Sequence, residues 1–199
     1  MPTNVNFAVL HAIRLKGIAK DDAISAHVDA DKATMTACLE DLASRGLTKY
    51  REGRRVSGWA LTDSGREQHA MLLDDAMGSD DVAGLAVPYN KFLTVNSDFK
   101  TLCVRWMEAN YSQTDLSGLL RELAETHETV TSILLDAERA VPDLRVHRQR
   151  FEVAGREVAA GNHDFVTSPR VDSYHTVWFE MHEDMILRLK ISRADEGSF

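Results

Sequence analysis

Between Ala23 and Leu72 the chain switches from helical periodicity to alternation and back, and those switches fix the order of its elements. Asp21 or Asp22 can cap a short helix that turns Ala23, Ile24, Ala26 and Val28 inward. Asp29 to Asp31 makes a turn, and Asp31 is a natural N-cap for a longer helix running to about Ser44. That helix sets Met35, Cys38, Leu39 and Leu42 on one face and stops at Gly46. The runs Leu47-Thr48-Lys49-Tyr50-Arg51 and Gly58-Trp59-Ala60-Leu61 then read as short strands around the turn Glu52-Gly53-Arg54-Arg55. A helix-period run does not continue through Gly53 and Gly58, so a hairpin is the reading. Thr62 or Asp63 caps the next helix, to about Met77, and a helix from Val5 to Lys16, ended by Gly17, precedes the whole.

Beyond this stretch the period is helical throughout. Gly78, Ser79, Asp80, Asp81 and Gly84 are turn formers and Pro88 follows them, so residues 79–88 read as a linker. It divides an N-terminal unit, 1–78, from a C-terminal one, 89–199. The second unit reads as four helices: Tyr89 to about Tyr111; from a Thr114 or Asp115 cap to about Ala140; from Pro142 to near Gly161; and from Ser168-Pro169 to about Ile191. Short loops between them predict an antiparallel up-and-down bundle. The fold class is therefore mainly α, with one small β-hairpin, and the tail after Ile191 reads as frayed.

Bulk properties narrow the function classes. With 44% hydrophobic and 27% charged residues in a chain of 199, folded structure is the expectation. No run approaches the roughly 18 apolar residues of a membrane span, and the N-terminus lacks a basic-then-apolar leader, so the expectation is a cytoplasmic protein without membrane contact. Cys38 and Cys103 sit far apart within apolar helical patterns and read as buried free thiols. There is no glycine-rich phosphate loop, nucleophile elbow or paired-cysteine motif, so no enzyme and no cofactor is expected. Glu180, Glu183 and Asp184 form an acidic stretch that reads as a charged helix face.

The net charge of -8 opposes nucleic-acid binding, but its distribution does not. Acids and bases nearly balance up to Gly78, so most of the negative charge belongs to the second unit. Within the first, Arg45, Lys49, Arg51, Arg54 and Arg55 are opposed locally by Glu52 alone. Helix, turn, helix and basic hairpin in this order point to a winged helix-turn-helix. Three features, Met35–Leu47, the hairpin with Trp59 and the junction Leu61-Thr62-Asp63-Ser64-Gly65-Arg66, resemble the winged-helix domain of MarR- and PadR-type bacterial transcriptional regulators over about residues 5–75. The resemblance implies that Lys32, Thr34 and Thr36 face double-stranded DNA from the longer helix, while Lys49, Arg51, Arg54 and Arg55 hold phosphate or enter the minor groove. It also implies a homodimer and a small-molecule effector sensed by the second unit. The alternative is a protein-interaction module: the longer helix holds no arginine and carries Glu40 and Asp41.

Two sets of residues stand out in the second unit. Phe92, Phe99, Trp106, Tyr174, Trp178 and Phe179, with Arg105 and His175 as polar contacts, fit a ligand pocket between helices, and the same spacing fits a filled core. His127, His175 and His182 lie near acidic residues in a half that is loosely similar in type to the metal-binding effector domains of some GntR-type regulators. Their spacing matches no compact metal motif, and surface or interface histidines are the plainer reading.

Overall fold

The computed structural model describes residues 5–28, 30–54, 56–112 and 116–191. Asp29, Arg55, Thr114, Asp115 and the tail after Ile191 lie outside the described residues. The chain divides into two compact units, Met1–Gly78 and Ser79–Phe199. It is mainly α, with one small antiparallel hairpin near its N-terminus.

The first unit contains α1 (Val5–Lys16), α2 (Asp21–Ser25) and α3 (Lys32–Ser44), then β1 (Thr48–Arg51), β2 (Gly58–Leu61) and α4 (Asp63–Ala76). Its core is built by Leu10, Ile13, Ile24, Met35, Leu39 and Leu42, all buried. Asp31 caps α3 as the sequence predicts, accepting the Thr34 N–H at 2.9 Å. Asp21 and Asp22 sit in the first turn of α2 and not at its cap, which is Lys20. Asp21 instead accepts the Trp59 indole N–H at 3.0 Å and ties α2 to the hairpin. Strand pairing runs Thr48 to Leu61, Lys49 to Ala60, Tyr50 to Trp59 and Arg51 to Gly58. Ala19 adds an isolated antiparallel bridge, exchanging backbone hydrogen bonds of 2.9 and 2.7 Å with Trp59.

The Leu61–Arg66 junction turns out to be a fastener. The Thr62 hydroxyl accepts the Gly65 N–H at 3.0 Å and donates to the Gly46 carbonyl at 2.7 Å, so one side chain caps α4 and closes the α3–β1 turn. Gly65 lies so close to the Leu47 carbonyl oxygen that a Cβ would collide with it. At the other side α4 packs on α1 through stacked rings of Phe7, His11 and His69, with His11 Nδ1 and His69 Nε2 2.9 Å apart. One of the two imidazoles donates there and the other accepts.

The second unit holds α5 (Ser79–Ser112), α6 (Ser117–Ala140), a 3-10 turn (Pro142–Leu144), α7 (Arg145–Ala159), α8 (Asp164–Thr167) and α9 (Tyr174–Leu189). Side-chain pairs fix the directions of the long helices. Lys91 meets Asp136 at 2.9 Å and Arg105 meets Glu122 at 2.7 Å, so α5 and α6 are antiparallel. Arg148 Nε donates to Glu138 at 2.6 Å, joining α7 to α6. Trp178 donates its indole N–H to Asn96 at 2.9 Å, joining α9 to α5.

Two boundaries differ from the sequence reading. Residues 79–88, read as a linker, are the start of α5, with Pro88 inside the helix. Leu85, Pro88, Tyr89 and Phe92 are all buried, so the apolar stripe runs straight through the proline. Burying Leu85, Tyr89 and Phe92 yields roughly 1.5–3 kcal/mol each, which outweighs the roughly 3 kcal/mol cost of an interior proline. Gly84, one turn before Pro88, lets α5 approach α6 so closely that a Cβ would sit 2.7 Å from the Ala140 Cβ. The last helix begins at Tyr174 and not at Pro169, because Ser173 supplies the cap that accepts the Thr176 N–H at 3.3 Å.

Candidate nucleic-acid interface and charged bundle core

The described basic residues of the hairpin face solvent. Lys49, Arg51 and Arg54 are exposed, as is Lys32 at the start of α3, and none of the four pairs with a described carboxylate. Arg45 and Arg66, by contrast, are engaged by Asp41 and Asp63. Tyr50, 51% exposed, stands between Lys49 and Arg51 and packs edge-on against Trp59 at 5.5 Å, a surface aromatic that the sequence reading passed over. Arg55 lies outside the described residues.

The exposed side of α3 has a different character. Thr34 is exposed, but its hydroxyl donates to Asp31 at 2.7 Å. The Thr34 N–H and then its hydroxyl hold the Asp31 carboxyl below the ordinary carboxylate range. A fixed negative charge therefore sits at the N-terminal end of α3, the end whose dipole favours anions. Thr36 is half-buried, Ala37 is exposed, and Glu40 and Asp41 face solvent further along. The site thus joins an available basic hairpin to a helix face with one cation, Lys32, and several carboxylates.

In the second unit Phe92, Phe99, Trp106, Tyr174 and Trp178 are buried, whereas Phe179, also read as lining the bundle, is 53% exposed. Trp178 stacks on Phe99 at 3.9 Å and lies 5.3 Å from Phe92. Phe151 touches both Trp178 and Tyr174. Trp106 is buried separately, edge-on to His163 at 5.4 Å. The rings pack on one another, as a core demands. Neither polar partner proposed from the sequence joins them: Arg105 is exposed and bridges to Glu122, and His175 is exposed.

The candidate metal ligands do not converge. The His127 Nδ1 lies 2.8 Å from the Tyr174 hydroxyl, His182 packs against Phe92 at 4.9 Å, and His175 faces solvent. Among the described residues no three His, Cys, Asp or Glu side chains are grouped to hold a metal ion. Burial lowers the His127 pKa despite the opposing pull of Glu152 and Glu128. Both cysteines are buried and free, and burial pushes the Cys103 thiol up to about 12.

Sequence reasoning missed a set of buried charges between α7 and α9. Arg150, 5% exposed, donates through Nε and Nη2 to the two Asp172 oxygens at 2.8 and 2.9 Å, and its Nη1 lies 2.7 Å from Glu180. His147, fully buried, meets Asp184 through Nε2 at 2.9 Å, and Asp184 accepts from Arg188 Nε at 2.7 Å. Glu180 and Asp184 are thus buried members of a network and not a solvated helix face, while Glu183 is half-buried. Desolvation opposes the Arg150 charge, yet the Asp172 hydrogen bonds and the Glu180 charge raise its pKa on balance. Desolvation also lowers the His147 pKa, outweighing the pull of Asp184, so the imidazole is neutral and donates its Nε2–H. Through Arg150 with Glu180 and His147 with Asp184, the set fastens α7 to α9.

Among the described residues no helix is long and apolar enough to cross a membrane. Compared with models of protein families, with curated proteins and with solved structures, the chain matches none.

Proposed function

We propose that the chain is a DNA-binding transcriptional regulator whose first unit is a winged helix-turn-helix. The observation that carries this reading is the exposed trio Lys49, Arg51 and Arg54 on a hairpin that directly follows α3. The succession α1, α2, α3, hairpin and α4, with Ala19 bridging to Trp59, supports the winged-helix assignment. Double-stranded DNA is the partner, and the hairpin cations hold its phosphates.

In this proposal the second unit pairs two protomers. Val104 and Met107 lie one turn apart on α5 and are 51% and 53% exposed, which supports a symmetric apolar contact. Sedimentation of the purified chain tests the homodimer, and a monomer at all concentrations refutes it. The packing of Phe92, Trp178 and Tyr174 with their neighbours favours a core over an effector pocket.

The second reading, a protein-interaction module, draws on the carboxylates of α3: Asp31 at its head, then exposed Glu40 and Asp41. Salt-dependent binding to duplex DNA separates the two readings. The regulator binds at low salt and loses affinity in an Arg51→Gln/Arg54→Gln variant whose fold is intact. No binding to any duplex at low salt refutes it.

A further inference from the structure

We propose that the first unit grips duplex DNA by its phosphate backbone and discriminates little between sequences, so that its ligand class is duplex DNA of any sequence. This rests on the DNA-binding reading above and deepens it. Strong discrimination comes from side chains that make two hydrogen bonds to one base edge: arginine or lysine to guanine, asparagine or glutamine to adenine. From Lys32 to Ser44, α3 contains no arginine, asparagine or glutamine. Lys32 is its one cation, a point charge without a fixed fork. Thr34 commits its hydroxyl proton to Asp31, and Thr36 is half-buried. Glu40 is able to accept from a cytosine amino group, but it lies two turns beyond Lys32, where no neighbouring side chain of α3 offsets phosphate repulsion.

The hairpin has the opposite chemistry. Lys49, Arg51 and Arg54 are exposed and carry charges that no described carboxylate neutralises, so phosphate is the group they suit. With Lys32 they supply about four phosphate contacts per protomer, which sets the slope of log affinity against log salt at about -3.6 for each bound protomer. Each good two-bond base contact is worth roughly 5- to 150-fold in discrimination, and α3 offers no side chain in a position to make one with a fixed geometry.

The test uses the full chain and fluorescently labelled duplexes. Duplexes are enriched from a random pool by binding, and the winner is compared with a shuffled duplex of the same composition. The expected ratio of affinities is below about 30-fold, less than one strong base contact confers at its upper range, with a salt slope of about -3 to -4 per bound protomer on both duplexes. Arg51→Gln/Arg54→Gln, checked for fold by circular dichroism, weakens binding to both duplexes alike and brings the slope to about -2 per bound protomer. A ratio above about 30-fold overturns the proposal and leaves the DNA-binding reading standing. So does a double variant that changes the ratio, because those arginines would then be reading bases. Absence of binding to every duplex at low salt overturns the DNA-binding reading itself, and this proposal with it.

Discussion

Arg150 offers the sharpest test of how the second unit is held together. Its side chain is 6% exposed and that of Glu180 is 7%, whereas Asp172 is 35% exposed. Replacing Arg150 by methionine leaves the Glu180 carboxylate buried without the guanidinium that sits 2.7 Å from it. Removing one member of such a buried pair costs roughly 3–5 kcal/mol. Asp172, a third exposed and screened by water, adds at most about 1 kcal/mol. With a urea m-value of roughly 2 kcal/mol/M, the unfolding midpoint of the second unit should fall by about 2 M. Trp106 and Trp178, both buried in that unit, report the transition by fluorescence. It is fitted for that unit alone, since a chain of two units is not expected to unfold in a single step. The companion Arg150→Met/Glu180→Leu removes both charges and should recover most of the loss, because a buried pair replaced by apolar groups is often neutral or better. A single variant that loses less than about 1 kcal/mol would refute the argument, since it would mean that water already reaches Glu180.

Three further outcomes are expected. His127 and His147 both have pKa values lowered by burial, so below about pH 6.5 the unfolded chain binds more protons than the folded one. The stability they contribute is whole above that pH and is lost as the pH falls through their folded values; a flat urea midpoint between pH 7.5 and pH 5 contradicts this. Gly65→Ala sets a Cβ against the Leu47 carbonyl and should destabilise the first unit by about 2 kcal/mol or more, while Thr62→Ala costs about 1 kcal/mol by loss of the cap. Equal, negligible effects in thermal unfolding would show that the junction is not a fastener. Asp31→Asn keeps an acceptor for the Thr34 N–H but removes the carboxylate charge at the head of α3, so duplex affinity should rise by about tenfold at low salt; unchanged affinity would place that end of α3 away from the DNA.

The first unit was largely legible because its punctuation is local. Asp31 as cap, Gly46 as stop and Thr62 at the strand-to-helix junction act within a few residues of themselves, and all three behave in the structure as their chemistry predicts. Pro88 shows where local punctuation misleads. Ser79, Asp80 and Asp81 read as turn formers, yet acidic residues also suit the first turn of a helix, and here they open α5. The stripe Leu85, Tyr89, Phe92 was the competing signal, and it wins because burial against neighbouring helices outweighs one lost hydrogen bond.

The charged core was illegible for a related reason. Glu180, Asp184 and Arg188 are spaced by four, as are many solvated helix faces, and nothing local distinguishes the two cases. What decides is that α9 is buried nearly all round: Val177, Trp178, Met181, Met185 and Ile186 occupy the remaining directions. A helix enclosed in this way must pair its polar groups with those of its neighbours, because a lone buried charge is too costly to keep. On α7, His147 and Arg150 are one turn apart, and α9 runs antiparallel, so Asp184 meets the first and Glu180 the second. The signal was therefore present but distributed over two helices: polar partners one turn apart on each, His147 and Arg150 on α7 and Glu180 and Asp184 on α9. A sliding of α7 by one turn would separate both pairs at once and leave Arg150, Glu180 and Asp184 buried without these partners, a cost that opposes such a shift.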